Sequence, residues 1–176
     1  MDPGLDEEFA EFVDGRFGAL QRFGYLLTGE WHLAEDLVQT SLTKVWFHRR
    51  SLRDGNALES YTRTVMVNTS TQWWRRKWKG ETPTETLPEA STSSAYSSVD
   101  ERDRLLRALA TLPRRTRAAL VLRYFEDLPD AEIAAVMGCS ASTVKSTISR
   151  GLAKLRELDL LTDEPLPLTA DRRADR

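Results

Sequence analysis

Residues 128–156 read Leu128-Pro129-Asp130-Ala131-Glu132-Ile133-Ala134-Ala135-Val136-Met137-Gly138-Cys139-Ser140-Ala141-Ser142-Thr143-Val144-Lys145-Ser146-Thr147-Ile148-Ser149-Arg150-Gly151-Leu152-Ala153-Lys154-Leu155-Arg156. Two helical patterns are split by a Gly-centred break. The first is short and acidic at its start, with Ile133, Val136 and Met137 at helical spacing. The second places Val144, Ile148, Leu152 and Leu155 on one face. Its other face holds Ser142, Thr143, Lys145, Ser146, Ser149 and Arg150, and no acid occurs from Cys139 to Arg156. A short helix, a tight turn and an amphipathic helix with a cationic, hydroxyl-rich face predict a helix-turn-helix that docks on double-stranded DNA. Ser140 is placed to cap the second helix.

Outward from this segment, the rest of the chain is also helical in pattern. Phe9, Phe12, Val13, Phe17, Leu20, Phe23 and Leu27 recur at helical steps up to a break at Thr28-Gly29. A second helix is predicted over Trp31–Arg50, with Leu33, Leu37, Leu42, Val45 and Trp46 as its apolar set. Asp54-Gly55-Asn56 reads as a turn. A third helix follows over Leu58–Trp78, a fourth over Val99–Leu112 and a fifth over Arg114–Phe125. No alternating, strand-like run stands out. The fold class expected is all-α.

Between the third and fourth helices the composition changes. Glu81 to Ser94 holds two prolines, many Ser and Thr, and almost nothing that could enter a core. Such a stretch predicts a flexible linker. The expected organisation is therefore two small helical domains, 5–79 and 99–160, joined by a linker at 80–98. A disordered tail is expected at 161–176.

The chain of 176 residues is 40% hydrophobic, enough for packed cores. It has no apolar run long enough for a membrane span, and its acidic N-terminus is unlike a secretory signal. A cytoplasmic location without membrane insertion is expected. Its one cysteine, Cys139, excludes an internal disulfide and follows the glycine of the break, where a small apolar residue suits packing better than redox chemistry.

The net charge is −2, which argues weakly against a nucleic-acid partner, but the distribution argues the other way. The first 48 residues are acidic. From Arg49 to Lys79 the cations Arg49, Arg50, Arg53, Arg63, Arg75, Arg76, Lys77 and Lys79 outnumber Asp54 and Glu59. Arg104, Arg107, Arg114, Arg115, Arg117 and Arg123 form a second basic stretch. Polyanion binding depends on such local patches. The helix of Arg114, Arg115 and Arg117 is expected to rest across the DNA backbone.

Gln72-Trp73-Trp74-Arg75-Arg76-Lys77-Trp78-Lys79, with Arg63 upstream, interleaves rings with cations. Rings stack on unpaired bases and cations hold phosphates, so this arrangement suits a single strand. Met66, Thr69 and Trp73 share a face, so Trp73 is expected to pack inward and Trp74 and Trp78 to be available. On Trp31–Arg50, Glu35, Asp36 and Gln39 flank the apolar positions. They read as a solvated face or as a dock for a basic protein partner. No zinc-ligand cluster, phosphate-cradling loop or nucleophile–base set is present, so no metal, cofactor or catalytic residue is expected.

These residues resemble a known family, the sigma-70 factors of the extracytoplasmic-function (ECF) type. The resemblance covers about residues 8–158. Ala34-Glu35-Asp36-Leu37-Val38-Gln39 with Val45-Trp46 is similar to the region that grips the clamp helices of RNA polymerase. Val65-Met66-Val67-Asn68 and Trp73-Trp74-Arg75-Arg76 resemble the helix that opens and reads the −10 element. Leu112-Pro113-Arg114, Leu120 to Glu126, Glu132-Ile133-Ala134 and Thr143-Val144-Lys145-Ser146 resemble the −35-binding domain. Gly24-Tyr25-Leu26-Leu27-Thr28-Gly29 looks like the actinobacterial SigE-type subgroup. Pro129, the Ala141-Ser142 pair, Thr147 and Gln72 depart from the common pattern and imply a promoter sequence of its own.

The resemblance implies an alternative sigma factor and no enzyme. Glu35, Asp36 and Gln39 would bind the beta-prime clamp helices of core RNA polymerase, and the second domain the beta flap. Ser142, Thr143, Lys145, Ser146, Thr147 and Arg150 would contact the −35 duplex. Arg63, Asn68, Trp74, Arg75, Arg76 and Lys77 would hold the melted −10 strand of promoter DNA, with Asn68 and the Arg49–Leu58 turn around a flipped base. Many family members have an anti-sigma factor as a further partner. The alternative reading is a dimeric helix-turn-helix regulator that acts on a palindromic site without polymerase.

Overall fold

The structure is a computed structural model and describes residues 3–52, 55–80 and 97–157. The described residues form α1 (Pro3–Thr28), α2 (Trp31–His48), a 3-10 turn (Arg49–Ser51), α3 (Gly55–Gly80), α4 (Ser97–Ala110), α5 (Arg114–Tyr124), α6 (Asp130–Met137) and α7 (Ala141–Glu157). No strand occurs among them. The fold is all-helical in two regions, as expected. Residues 81–96 of the expected linker and the tail at 161–176 lie outside the described residues.

Local chemistry sets the helix boundaries. α1 stops where Gly29 turns to φ +84, and the Gly29 N–H still reaches the Tyr25 carbonyl at 2.7 Å. Gly24 lets α2 approach: a Cβ there would sit 3.2 Å from the Ala34 carbonyl oxygen. Pro113 and Pro129 precede α5 and α6, and their carbonyls accept from Arg117 N–H at 2.9 Å and Ile133 N–H at 3.1 Å. Two expectations are corrected. Gly55 and Asn56, read as a turn, open α3, and the last residues expected in α2 tighten into the 3-10 turn.

The helix-turn-helix break is made by Gly138. It adopts φ +61, and the Cys139 N–H bonds back to the Ala134 carbonyl at 3.0 Å, which closes α6. Ser140 then caps α7 as expected, its Oγ accepting from the Thr143 N–H at 3.2 Å. Cys139 packs against the core.

The two regions share one core. Leu20, Phe23, Leu27, Leu37, Val38 and Met66 of the first join Leu109, Leu112, Leu120, Leu122, Ile133 and Val144 of the second in a single apolar cluster. α1 packs on α4 and α5, and α3 on α5 and α6. A smaller cluster of Val45, Leu58 and Val65, with Phe9, Phe12, Leu52 and Tyr61 against it, seals the far side of the first region.

Candidate nucleic-acid interface

α7 is divided along its length. Val144, Ile148, Gly151 and Leu155 are buried, whereas Ser142, Thr143, Lys145, Ser146 and Arg150 are all exposed and Thr147 is half-buried. The helix lies against α5 at Gly151, where a Cβ would meet Thr116 Cγ2 at 2.6 Å and Leu120 Cδ1 at 2.9 Å. That close approach orients the outer face. The hydroxyls near its start are held among themselves, with Ser140 Oγ 2.9 Å from Ser142 Oγ and 2.8 Å from Thr143 Oγ1. Arg150 Nε donates to the Ser146 carbonyl at 3.2 Å. The result is a solvent-facing strip of hydroxyls with Lys145 and Arg150 as its cations.

α3 carries the second candidate set. Asn68 and Gln72 are exposed, while Met66 and Thr69 are buried and Trp73 packs against the core, as expected. The side chains of Trp74, Arg75, Arg76 and Lys77 lie outside the described ones. Arg63 is engaged by carboxylates of the protein itself. Its Nε donates to Glu126 at 2.5 Å and its Nη2 to Glu59 at 2.5 Å, leaving the side chain 14% exposed.

On α2, Glu35, Asp36 and Gln39 are exposed, and Ala34, Leu37, Val38, Ser41 and Val45 are buried. The sequence reading missed Phe47, which is 76% exposed. At 3.6 residues per turn it lies about 20° around the helix from Asp36, so it continues that face. Its neighbour Trp46 stacks edge-on to Phe9, a choice that the adjacent pair of aromatics does not reveal by spacing.

Several cations counted in the basic stretches are engaged by the protein itself. Arg49 lies 3.4 Å from the Trp46 ring centroid and donates to Asp6. Arg123 pairs with Asp130. Arg117, expected to rest across DNA, is instead 5% exposed. It donates to the Leu109 carbonyl at 2.7 Å and to the Leu27 carbonyl at 3.2 Å. Burial pushes its guanidinium down to about 10, and burial, then the nearby Arg117 charge, pushes Arg114 down to about 9; both stay cationic at neutral pH. Arg115 reaches the Met137 carbonyl at 3.1 Å. Arg117 is thus a core residue of α5, whereas Arg115 stays exposed, as does the cationic face of α7.

Among the described residues no group of three His, Cys, Asp or Glu side chains could hold a metal, and no helix is long and apolar enough to cross a membrane.

Comparison with known proteins agrees with this geometry. Residues 16–80 match the family model of Sigma-70 region 2, and residues 102–155 that of Sigma-70, region 4. The chain is 40% identical over 150 residues to an RNA polymerase sigma-E factor of Streptomyces coelicolor, covering 85% of each. The solved sigma factor RpoE of Bartonella quintana, in complex with the anti-sigma factor NepR, superposes with a TM-score of 0.67 at 25% identity, over 86% of this chain and 96% of that one. CnrH, in complex with the cytosolic domain of CnrY, superposes with a TM-score of 0.63 at 20% identity, over 87% and 88%. Sigma-70 regions 2 and 4 in that order, on one chain with an actinobacterial sigma-E relative, exclude the independent dimeric regulator. This chain belongs to the sigma-70 family as an ECF RNA polymerase sigma factor, a non-catalytic subunit that binds core polymerase and promoter DNA.

Proposed function

We infer a division of labour along the chain. α7 docks on the −35 duplex through Ser142, Thr143, Lys145, Ser146, Thr147 and Arg150. Hydroxyls and cations at the start of a groove-entering helix can reach both base edges and phosphates. α3 captures the melted −10 strand through Asn68, Trp74, Arg75, Arg76 and Lys77, with Arg63 as a further phosphate contact. Extruding a base costs a few kcal/mol, which a pocket and stacking surface offset. Glu35, Asp36 and Gln39 bind the beta-prime clamp helices, with Phe47 extending the contact, and the second region meets the beta flap. The protein works in the cytoplasm. An anti-sigma factor is a further partner, a reading supported by the complex of RpoE with NepR.

The observation that carries this reading is the partition of α7, whose cationic, hydroxyl-bearing face is exposed while its apolar face is locked on α5. Run-off transcription with purified core polymerase on genomic promoter fragments tests it. Discrete start sites that require this protein are expected. Failure to bind core, or to direct any start, would remove the assignment.

A further inference from the structure

Arg63 belongs to a chain of four charged side chains that joins the two regions. Arg16 of α1 donates to Glu59 at 2.8 Å, Glu59 accepts from Arg63 at 2.5 Å, and Arg63 donates to Glu126 at 2.5 Å. Three of the four come from the first region. Glu126 comes from the second, in the turn between α5 and α6. That turn is rigidly set: Asp127 takes the left-handed φ of 54, the Glu126 N–H bonds to the Val121 carbonyl at 3.2 Å, and the Leu128 N–H bonds to the Leu122 carbonyl at 3.1 Å. Arg63 and Glu126 are 14% and 11% exposed.

The charges decide what the contact does. With Glu126 in place, two cations face two carboxylates and the chain is neutral. Without it, Arg16 of α1 with Glu59 and Arg63 of α3, the helix assigned to the −10 strand, carry a net charge of +1. A carboxylate and a phosphate offer a guanidinium the same thing, paired anionic oxygens for its forked donors. A largely buried ion pair contributes little net stability because desolvation offsets attraction, but losing one partner without replacement is costly. Exchange of one anion for another is therefore easier than simple opening. The face of α7 stays exposed throughout, so the contact withholds α3 and not α7.

We propose that Glu126 takes the place of a DNA phosphate on Arg63, so that closure of the second region onto α3 and capture of a single strand compete for one guanidinium. This rests on the assignment of α3 to the −10 strand. The full-length chain and its Glu126→Gln variant are compared by small-angle X-ray scattering and by binding of fluorescent oligo-dT, a sequence-independent phosphate probe, with folding read by circular dichroism. E126Q should enlarge the radius of gyration and tighten oligo-dT binding by about tenfold or more, the size of one charge-assisted contact. Binding to duplex DNA through α7 should not change. The charge-swapped pair Arg63→Glu with Glu126→Arg should restore the compact form and lose the gain in strand binding. Equal compactness and equal strand affinity in wild type and E126Q overturn the proposal, as does opening without any gain in strand affinity. Failure of the −10 assignment is seen separately, as run-off transcription indifferent to the −10 sequence with closure still governed by Glu126.

Discussion

The Arg117 guanidinium donates to the carbonyl of Leu27, 90 residues earlier in the chain, at 3.2 Å. Its Nε also donates to the Leu109 carbonyl at 2.7 Å. One side chain thus reaches carbonyls at the ends of two helices, α1 and α4; the Leu109 carbonyl also accepts from the Leu112 N–H at 3.2 Å. A cation near two helix C-termini is also favoured by the helix dipoles. This use of a cation explains why a basic run in sequence need not be a basic surface.

Arg117→Met should lower the unfolding free energy by about 1–3 kcal/mol, because the Leu27 carbonyl loses this donor and the Leu109 carbonyl one of two, while the apolar volume is roughly kept. Urea denaturation measures it. A loss under about 0.5 kcal/mol, the range of ordinary surface substitutions, would show that these hydrogen bonds do not matter. Duplex affinity of the folded fraction should not change, since Arg117 does not face solvent.

Gly151→Ala tests the seat of the recognition helix. Alanine gains up to about 1 kcal/mol of helix propensity, but its methyl would press on Thr116 and Leu120. Overpacking a tight interface costs about 1–3 kcal/mol, and the β-branched Thr116 cannot swing away, so net destabilisation is expected. A higher melting temperature would show that α5 and α7 part easily.

Lys145→Ala with Arg150→Ala should weaken binding to a −35 duplex and reduce the slope of log affinity against log salt by about 1 for each phosphate that is no longer neutralised. Thermal stability should be unchanged. An unaltered salt slope would place the duplex elsewhere on the molecule.

Asp36→Ala with Gln39→Ala should reduce affinity for core polymerase tenfold or more, equivalent to about 1.4 kcal/mol, with stability within about 0.5 kcal/mol of wild type. Phe47→Ser should act in the same direction, since a solvent-facing aromatic at an interface is a typical anchor. Retained core affinity in both variants would remove α2 as the docking face.

Ser41 is fully buried in α2, and its hydroxyl has no hydrogen-bond partner among the described residues. Ser41→Ala should therefore raise stability, by about 1 kcal/mol, through relief of an unsatisfied polar group and better helix propensity. Reduced stability on chemical denaturation would mean that the hydroxyl is satisfied in solution.

What could be read from residues alone was local. Helical periodicity located α1 to α7 because an apolar face must recur every three to four residues whatever it later packs against. The Gly138 break, the Ser140 cap and the exposed strip of α7 followed from backbone sterics and from the absence of acids. The three motifs were enough to suggest the family because each is a short, contiguous set of residues. What only the tertiary structure decided was which charges remain available. Arg49, Arg63, Arg117 and Arg123 look alike in a sequence, yet each is engaged by a partner that folding brings to it, and for the first three that partner lies far away along the chain. Their fate depends on distance in space, and a guanidinium will bind whichever anion or carbonyl the packing of apolar helix faces happens to place within reach.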